Sequence, residues 1–370
     1  QAKFGARRQG DEMGATAICA RAPVLCSEKP ICQPLEKVPT ICGAQDVGAV
    51  LSDRPLAFRA VVHKEVHLAR ALHGQGHSGE ALASPFLLGV SSGALPASAA
   101  VVHGHLASGP LGGPRADPAA LPRELLRRCR ELADARLAPS ELRLAHEAYG
   151  GPVALLEDAH AATESLGSAT VLLAVMDNSS RIHGSVRPMV GVVSVGSSRL
   201  VLLRRRRGAF DVVFCSEPCG ADLCAEDQMP SPRIVRAAEG STDGRGAVAE
   251  QSLVQCVSTR EGDIVVLGSS AVLGALGSEE LVDICGEVLL RRPGLLRSPS
   301  FGPGTGRVPE LADTCVALRE VAERIVFAAQ ARGRAPLGDA ICDARGAEDA
   351  SVVVAEVQAW DRVVQSSGDR

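Results

Sequence analysis

The chain has 370 residues, of which 46% are hydrophobic, so it has enough apolar side chains to bury a large core. Lysine and arginine number 39 against 43 aspartate and glutamate, and this formal net charge of -4 argues against a surface devoted to nucleic acid. With only seven Phe, one Trp and one Tyr, the core must be filled by Val, Leu and Ala. No apolar run approaches the roughly 18 to 20 residues of a membrane-spanning helix, so no transmembrane span is predicted.

The first part of the chain carries Pro, Gly and Cys without a sustained hydrophobic period, which predicts an extension over residues 1–70. The sequence begins at Gln1 instead of Met, as expected after removal of a targeting segment. The twelve cysteines form no Cys-x-x-Cys pair, so no tetrahedral zinc site is predicted. We expect buried free thiols, and the alternative is one or two disulfides among the N-terminal cysteines Cys19, Cys26, Cys32 and Cys42.

Hydrophobic patterning predicts a globular domain over residues 71–359 and a short tail over 360–370. A buried strand follows Pro85, and Leu121 to Ala135 has the apolar spacing of an amphipathic helix. The other predicted elements are a helix over 152–165, a strand over 167–176, a strand meander over 189–214, a strand over 258–267, helices over 278–289 and 309–331, and a strand over 350–357. This order favours an α+β fold in which helices cover mostly antiparallel sheets.

Five short motifs follow these elements in order. They are Val90-Ser91-Ser92-Gly93, Gly167-Ser168-Ala169, Val195-Gly196-Ser197-Ser198, the run from Gly262 to Ser270, and Glu348-Asp349-Ala350-Ser351. In these motifs the chain resembles the metal-dependent type 2C protein phosphatases, closest to their mitochondrial branch, over roughly residues 78 to 359. The resemblance implies a four-layer α-β-β-α sandwich of two antiparallel sheets, with the active site where the turns meet at one edge.

In that family two Mn²⁺ or Mg²⁺ ions, held by Asp side chains, activate the water that attacks a phosphoserine or phosphothreonine. The resemblance places neutral hydroxyls at three of these aspartates and an alanine at one of an acidic pair, so an acid remains only in that pair and at the last position. The corresponding residues here are Glu80 and Ala81 for the acidic pair, Ser92 before Gly93, Ser197, Ser269, and Glu348 beside Asp349. Because divalent ions need anionic oxygens, we predict no metal site, no cofactor and no catalytic residue.

Two other clusters have a weaker chemical signal. The histidines His63, His67, His73 and His77 include a pair four residues apart, but glycines interrupt the segment and surface or loop histidines are the favoured interpretation. The run Arg204, Arg205, Arg206 and Arg207 is placed by the resemblance on a hairpin, where it would contact RNA, anionic lipid or an acidic protein subunit. A solvated hairpin tip explains the same run equally well.

A retained fold without its metal ligands predicts a catalytically inactive protein. We expect a structural or regulatory subunit of a larger mitochondrial assembly, with a respiratory-chain complex, the ATP synthase and the mitochondrial ribosome as candidate hosts. The alternative is a metal-dependent Ser/Thr phosphatase with an atypical site built from Glu80, Glu348, Asp349 and Asp263. A third interpretation is a module that reads phosphopeptides without hydrolysing them.

Overall fold

The computed structural model describes residues 55–65, 78–94, 117–137, 149–179, 181–182, 185–186, 188–219, 233–236, 248–291, 311–333 and 349–360. The strands in these residues are β1 (Leu56–Glu65), β2 (Ser78–Ala83), β3 (Leu87–Ala94), β4 (Gly167–Asp177), β5 (Arg181–Ile182), β6 (Ser185–Val186), β7 (Met189–Val195), β8 (Arg199–Arg206), β9 (Ala209–Cys215), β10 (Ile234–Arg236), β11 (Leu253–Ser258), β12 (Ile264–Gly268) and β13 (Ala350–Ala359). The helices are α1 (Ala120–Leu137), α2 (Pro152–Ala161), α3 (Val248–Gln251), α4 (Ser270–Leu273), α5 (Ser278–Cys285), which continues as a π-helical turn over Gly286–Leu290, and α6 (Leu311–Gly333).

Two larger sheets are formed, and all their strand pairs are antiparallel. The first sheet has the strand order β1-β13-β12-β8-β9, and the second has the order β11-β7-β4-β3-β2. The short strand β10 pairs with the start of β4, and β5 pairs with β6 as a separate ribbon. Antiparallel pairing suits this chain because short turns join many of its consecutive strands.

The central strands are apolar on both faces because each sheet is covered on both sides. In β4, Leu173 and Val175 pack beneath α1 and α2, whereas Leu172, Ala174 and Met176 face the other sheet. This alternation gives a nearly continuous hydrophobic run, as expected of a strand with no solvated face.

Helices α5 and α6 cover the outer face of the first sheet. Ile264 and Val266 of β12 pack there with Leu318 and Ile325 of α6, in a core cluster that is separate from the one between the sheets. Together with α1 and α2 on the second sheet, these helices complete a four-layer α-β-β-α sandwich. The predicted α+β fold with two antiparallel sheets is therefore confirmed.

The predicted boundary at residue 70 is wrong, because β1 lies within the segment expected to be an extension. Leu56, Ala57 and Phe58 are buried, and β1 pairs along its whole length with β13. Its C-terminal end is polar because β1 is an edge strand, and this polarity hides it from a search for apolar periods. His63 lies in this strand opposite Val352, while His67, His73 and His77 lie outside the described residues.

Two further boundaries differ from the sequence expectation. The strand predicted over 258–267 is split, since β11 ends at Ser258 and β12 begins at Ile264 after a turn in which Gly262 has a φ of 87°. The tail predicted from residue 360 begins inside the packed domain, because the ring centroids of Trp360 and Phe86 are 4.7 Å apart. The turn and the ring contact both depend on tertiary neighbours that a local pattern does not contain.

Cys129 and Cys285 are free thiols. Cys129 and Cys285 are fully buried, and burial raises the pKa of both, in the case of Cys285 to about 12. These two behave as small hydrophobic side chains, as predicted, whereas Cys215 is exposed and departs from the expectation of a buried thiol. The N-terminal cysteines lie outside the described residues. In the part of the chain that the structure describes, no helix has the length and apolar character needed to cross a membrane.

Candidate site between the two sheets

The residues singled out by the motifs converge at one end of the sandwich, between the two sheets. Gly79 of β2 and Ser92 of β3 are direct register partners in the second sheet. Opposite them, Ser269 follows β12, and Asp349 and Ser351 lie at the start of β13 in the first sheet. We call the space lined by these five residues the inter-sheet gap.

The two sheets approach each other closely at Gly79. Its backbone N–H donates to Oδ2 of Asp349 over 3.2 Å. A Cβ atom at this position would lie 2.6 Å from Oγ of Ser351 and 3.1 Å from both Cβ and the carbonyl oxygen of Asp349. The absence of a side chain at Gly79 therefore allows β13 to close against β2.

The Ser269 hydroxyl has a structural role at the junction of β12 and β13. Its hydroxyl donates to the carbonyl oxygen of Asp349 and accepts the backbone N–H of Ser351, each over 3.3 Å. Its own N–H donates to the carbonyl oxygen of Ser351 over 2.9 Å. These bonds join the end of β12 to the start of β13 and occupy the hydroxyl that stands at a predicted ligand position.

Three serine hydroxyls on the inner faces of the two sheets are buried without a hydrogen-bond partner among the described residues. They belong to Ser92, Ser194 and Ser351, each at most 1% exposed. The carbonyl oxygen of Ser92 is bonded, because it accepts from Nη2 of Arg233 over 3.1 Å and from Oγ1 of Thr170 over 3.4 Å. This end of the sandwich is thus lined by neutral hydroxyls, with a guanidinium group close to Ser92.

Replacing Ser194 by Ala should leave the free energy of unfolding unchanged or raise it by up to about 1 kcal/mol, because a buried hydroxyl without a partner opposes folding. Ser91→Ala is the matched control, since Ser91 is equally buried in the same sheet but donates to the carbonyl oxygen of Thr170 over 2.7 Å. We expect the control to lose about 1 kcal/mol. Urea unfolding of both variants measures the difference, and a larger loss for Ser194→Ala would mean that its hydroxyl is bonded in solution.

The acidic residue of β2 does not enter the gap, which corrects its expected place in an atypical metal site. Glu80 projects from the face of β2 opposite to Gly79, and its carboxylate lies 3.2 Å from Nζ of Lys64 and 3.1 Å from Nη2 of Arg123. Its neighbour Ala81 packs against the core between the sheets. Successive side chains of a strand alternate between faces, so only one member of the Glu80–Ala81 pair can face the gap.

The remaining motif positions are more scattered. Gly93 packs on the start of α1, since a Cβ there would clash with the carbonyl oxygen of Pro118 and the ring of Pro122. Ser197 lies partly exposed in the turn between β7 and β8, after Gly196 with its φ of 106°. Glu348 lies outside the described residues. The described residues contain no group of three or more His, Cys, Asp or Glu side chains suited to hold a metal ion.

Arg204 forms a buried ion pair. It is therefore not part of the anion-binding patch that the sequence predicted. Its Nε and Nη2 donate to the two carboxylate oxygens of Asp263 over 2.8 and 2.7 Å, and Nη2 also donates to the carbonyl oxygen of Ser258. Asp263 in addition accepts the N–H of Arg260 and the hydroxyl of Thr259. With these partners Asp263 holds the β11–β12 turn, which excludes it from the atypical metal site as well.

The other three arginines of the run remain at the hairpin surface. Arg205, Arg206 and Arg207 are exposed, and Arg207 sits at the tip of the β8–β9 hairpin with a φ of 49°. Whether this tip contacts RNA, lipid or protein stays a prediction.

Sequence reasoning missed two polar residues of the second sheet, Ser194 of β7 and Arg233, which precedes β10. The motif comparison did not include them, and strand serines such as Ser194 carry no signal of their own. Strand alternation offered one clue, because Ser194 stands two residues from the inward-facing Val192. Arg233 precedes a strand of three residues, too short to be detected by its pattern.

The described structure is a mixed α+β protein in which helices flank two facing antiparallel sheets. No protein-family model matches the chain. It is similar to a probable protein phosphatase 2C from Oryza sativa subsp. japonica, with 29% identity over 136 residues, which is 37% of this chain and 34% of the relative. The aligned part is thus about a third of that protein's length.

The comparison with solved structures also finds phosphatases. The photosystem II phosphatase PBCP shares 21% identity, with a TM-score of 0.47 and coverage of 82% of this chain and 99% of that one. The catalytic domain of the serine/threonine phosphatase PstP with two manganese ions gives 15% identity, a TM-score of 0.42 and the same coverage. A serine-threonine phosphatase 2C from Toxoplasma gondii shares 12% identity, with a TM-score of 0.40 and coverage of 82% of this chain and 95% of that one.

Proposed function

We propose that this chain is a non-catalytic relative of the type 2C protein phosphatases that serves as a structural or regulatory subunit of a larger mitochondrial assembly. The observation that carries the proposal is the composition of the inter-sheet gap. Hydroxyls of Ser92 and Ser269 stand where the family resemblance expects carboxylates, and Gly79 lets β13 close against β2.

These residues do not fit a pair of divalent metal ions. Mn²⁺ and Mg²⁺ take oxygen ligands and need anionic oxygens to offset their lost hydration. Within the described residues, Asp349 is the carboxylate that reaches the gap, and it already accepts the N–H of Gly79. Glu80 is held by Lys64 and Arg123, and Asp263 is held by Arg204. A gap of this composition lacks the ligands that would activate a water for hydrolysis.

A titration with Mn²⁺ tests the proposal. We expect no saturable heat in calorimetry at micromolar metal and no turnover of p-nitrophenyl phosphate or of a phosphothreonine peptide above the buffer rate. An established metal-dependent phosphatase serves as the positive control for both measurements. Micromolar Mn²⁺ binding accompanied by turnover would contradict the proposal.

A metal-dependent phosphatase with an atypical site is the second candidate. It is favoured by the similarity to the rice protein described as a probable phosphatase and by the Asp349 carboxylate at the gap, next to Glu348 in sequence. The variant Asp349→Asn distinguishes the two, because its amide oxygen still accepts from Gly79 while its charge is lost. If the second candidate is right, the phosphatase turnover of Asp349→Asn is at least tenfold lower than that of the wild type. If our proposal is right, neither protein shows turnover above the buffer rate.

The mitochondrial assembly is the finer part of the proposal, and it is supported by the motif resemblance to the mitochondrial branch of the family. Purification at native salt followed by mass spectrometry of co-purifying proteins tests it. We expect a stable set of mitochondrial partners, with a respiratory complex, the ATP synthase and the ribosome as the candidates. A chain recovered alone and outside mitochondria would contradict this part.

A further inference from the structure

An ion pair closes the side of the inter-sheet gap that lies between β1 and β2. These neighbouring strands are the edges of the two sheets among the described residues. Lys64 of β1 is the direct register partner of Ser351, so both side chains lie on the face of the first sheet that approaches Gly79. The Nζ atom of Lys64 lies 3.2 Å from Oε1 of Glu80, the residue after Gly79. The Lys64–Glu80 pair therefore spans the two sheets beside the contact between Gly79 and Ser351.

The Glu80 carboxylate is the centre of an ion triad. The same oxygen that contacts Lys64 also lies 3.1 Å from Nη2 of Arg123 on α1. Arg123 is held in turn by Asp117, whose carboxylate lies 3.2 Å from Nη1 and accepts the N–H of Ala119 at the start of α1. One carboxylate thus joins the first sheet, the second sheet and a helix of the outer layer.

The triad is only partly buried. The Glu80 side chain is 16% exposed and that of Lys64 is 31% exposed. Dissolved ions screen such a pair less than a fully exposed pair, but they still weaken it. The strength with which the triad holds β2 therefore depends on ionic strength.

The buried hydroxyls behind the triad favour opening of the gap. Those of Ser92 and Ser351 have no hydrogen-bond partner among the described residues, and water would bond to both if the sheets separated here. The bond from Gly79 to Asp349 would be lost, but water can replace it for both groups. Among the described residues β2 pairs only with β3, so it can move away from β13 without breaking a strand pairing.

We propose that the Lys64–Glu80–Arg123 triad is an electrostatic latch that holds β2 against the first sheet and keeps water out of the inter-sheet gap. Release of Glu80 lets β2 move away from β13, and the hydroxyls of Ser92 and Ser351 become hydrated. Salt therefore controls the opening of one edge of the sandwich while its centre stays closed. The latch is independent of the proposed function, because it concerns movement of β2 and not turnover.

Hydrogen exchange of the Gly79 amide tests the latch in the full chain. This N–H is buried and exchanges only when its bond to Asp349 opens. Mass spectrometry with fragmentation to single residues measures its rate, and the amides of β4 report opening of the whole fold. Glu80→Gln removes the charge and keeps the shape, so we expect Gly79 to exchange about fivefold faster at low salt, with β4 unchanged.

Salt and a second variant identify the part of the triad that acts. At about 1 M NaCl, where the Debye length is about 3 Å, the Gly79 rate of the wild type should approach that of Glu80→Gln, while the variant itself changes little. Lys64→Met removes only the arm from the first sheet and should match Glu80→Gln. Glu131→Gln is the matched control, since Glu131 pairs with Arg127 and Arg128 on α1, about two turns beyond Arg123, and should leave the Gly79 rate unchanged.

Three outcomes would overturn the latch. Either Glu80→Gln or Lys64→Met could exchange Gly79 at the wild-type rate. The amides of β4 could accelerate together with Gly79, which would mean that the triad stabilises the whole fold and does not hold one edge. Salt could accelerate the wild type and Glu80→Gln equally, which would mean that the charges of the triad are not what salt screens.

Discussion

Asp263→Ala is expected to lower the free energy of unfolding by about 3 to 5 kcal/mol, because it leaves the guanidinium of Arg204 buried without its counter-charge. The Arg204 side chain is 11% exposed and that of Asp263 is 2% exposed. The same carboxylate also accepts the N–H of Arg260 and the hydroxyl of Thr259, so the variant loses the bonds that hold the β11–β12 turn. Urea unfolding followed by circular dichroism measures the change.

The neighbouring pair Arg206–Asp211 provides a matched control on the same hairpin. Its closest N···O distance is 3.9 Å and both side chains are more than half exposed, so Arg206→Ala should change stability by less than about 0.5 kcal/mol. The double variant Arg204→Met/Asp263→Asn should recover part of the loss seen in Asp263→Ala, because no unpaired charge stays buried. Equal losses for Asp263→Ala and Arg206→Ala would show that the Arg204–Asp263 pair is solvated in solution.

The fold could be predicted where the sequence pattern and the burial agree. The continuous apolar run of β4 and the alternating faces of β12 follow directly from strands covered on both sides. The failures concern elements whose character depends on distant contacts. β1 lies at a sheet edge and mixes Arg59, His63 and Lys64 with its apolar residues, so its pairing with β13 is not visible in its own sequence.

The candidate site was predicted in position but not in its internal arrangement. The motif residues Ser92, Ser269 and Asp349 lie together at one end of the sandwich. Glu80 was grouped with them, although strand alternation places it on the opposite face from Gly79, where two cations bind it. A motif comparison reports which residue replaces another, whereas the direction of each side chain depends on the sheet.

The arginine run illustrates the same limit. Four consecutive arginines suggest one basic patch, but neighbouring side chains of a strand point to opposite faces. Arg204 lies close to the turn at Gly262, where its guanidinium forms an ion pair with Asp263. The other three arginines of the run are exposed. A buried partner 59 residues away is beyond the reach of any local pattern.

Closure of the inter-sheet gap can be tested directly at Gly79. Gly79→Ala should lower the free energy of unfolding by about 1 to 3 kcal/mol, because the added Cβ would lie 2.6 Å from Oγ of Ser351 and 3.1 Å from the carbonyl oxygen of Asp349. The second variant, Gly79→Ala/Ser351→Gly, removes the closer contact but keeps the backbone contact, so it should recover only part of the loss. Thermal and urea unfolding measure both changes.

Gly286→Ala is the matched control for adding a Cβ atom. Gly286 has a helical φ of -62°, and its added Cβ would approach nothing closer than 3.7 Å, so this variant should be neutral or more stable. If Gly79→Ala behaves in the same way as this control, the two sheets must stand further apart in solution than in the structure. The gap would then have room for ions beside Asp349, and the proposed lack of a metal site would depend on the neutral charge of its serines alone.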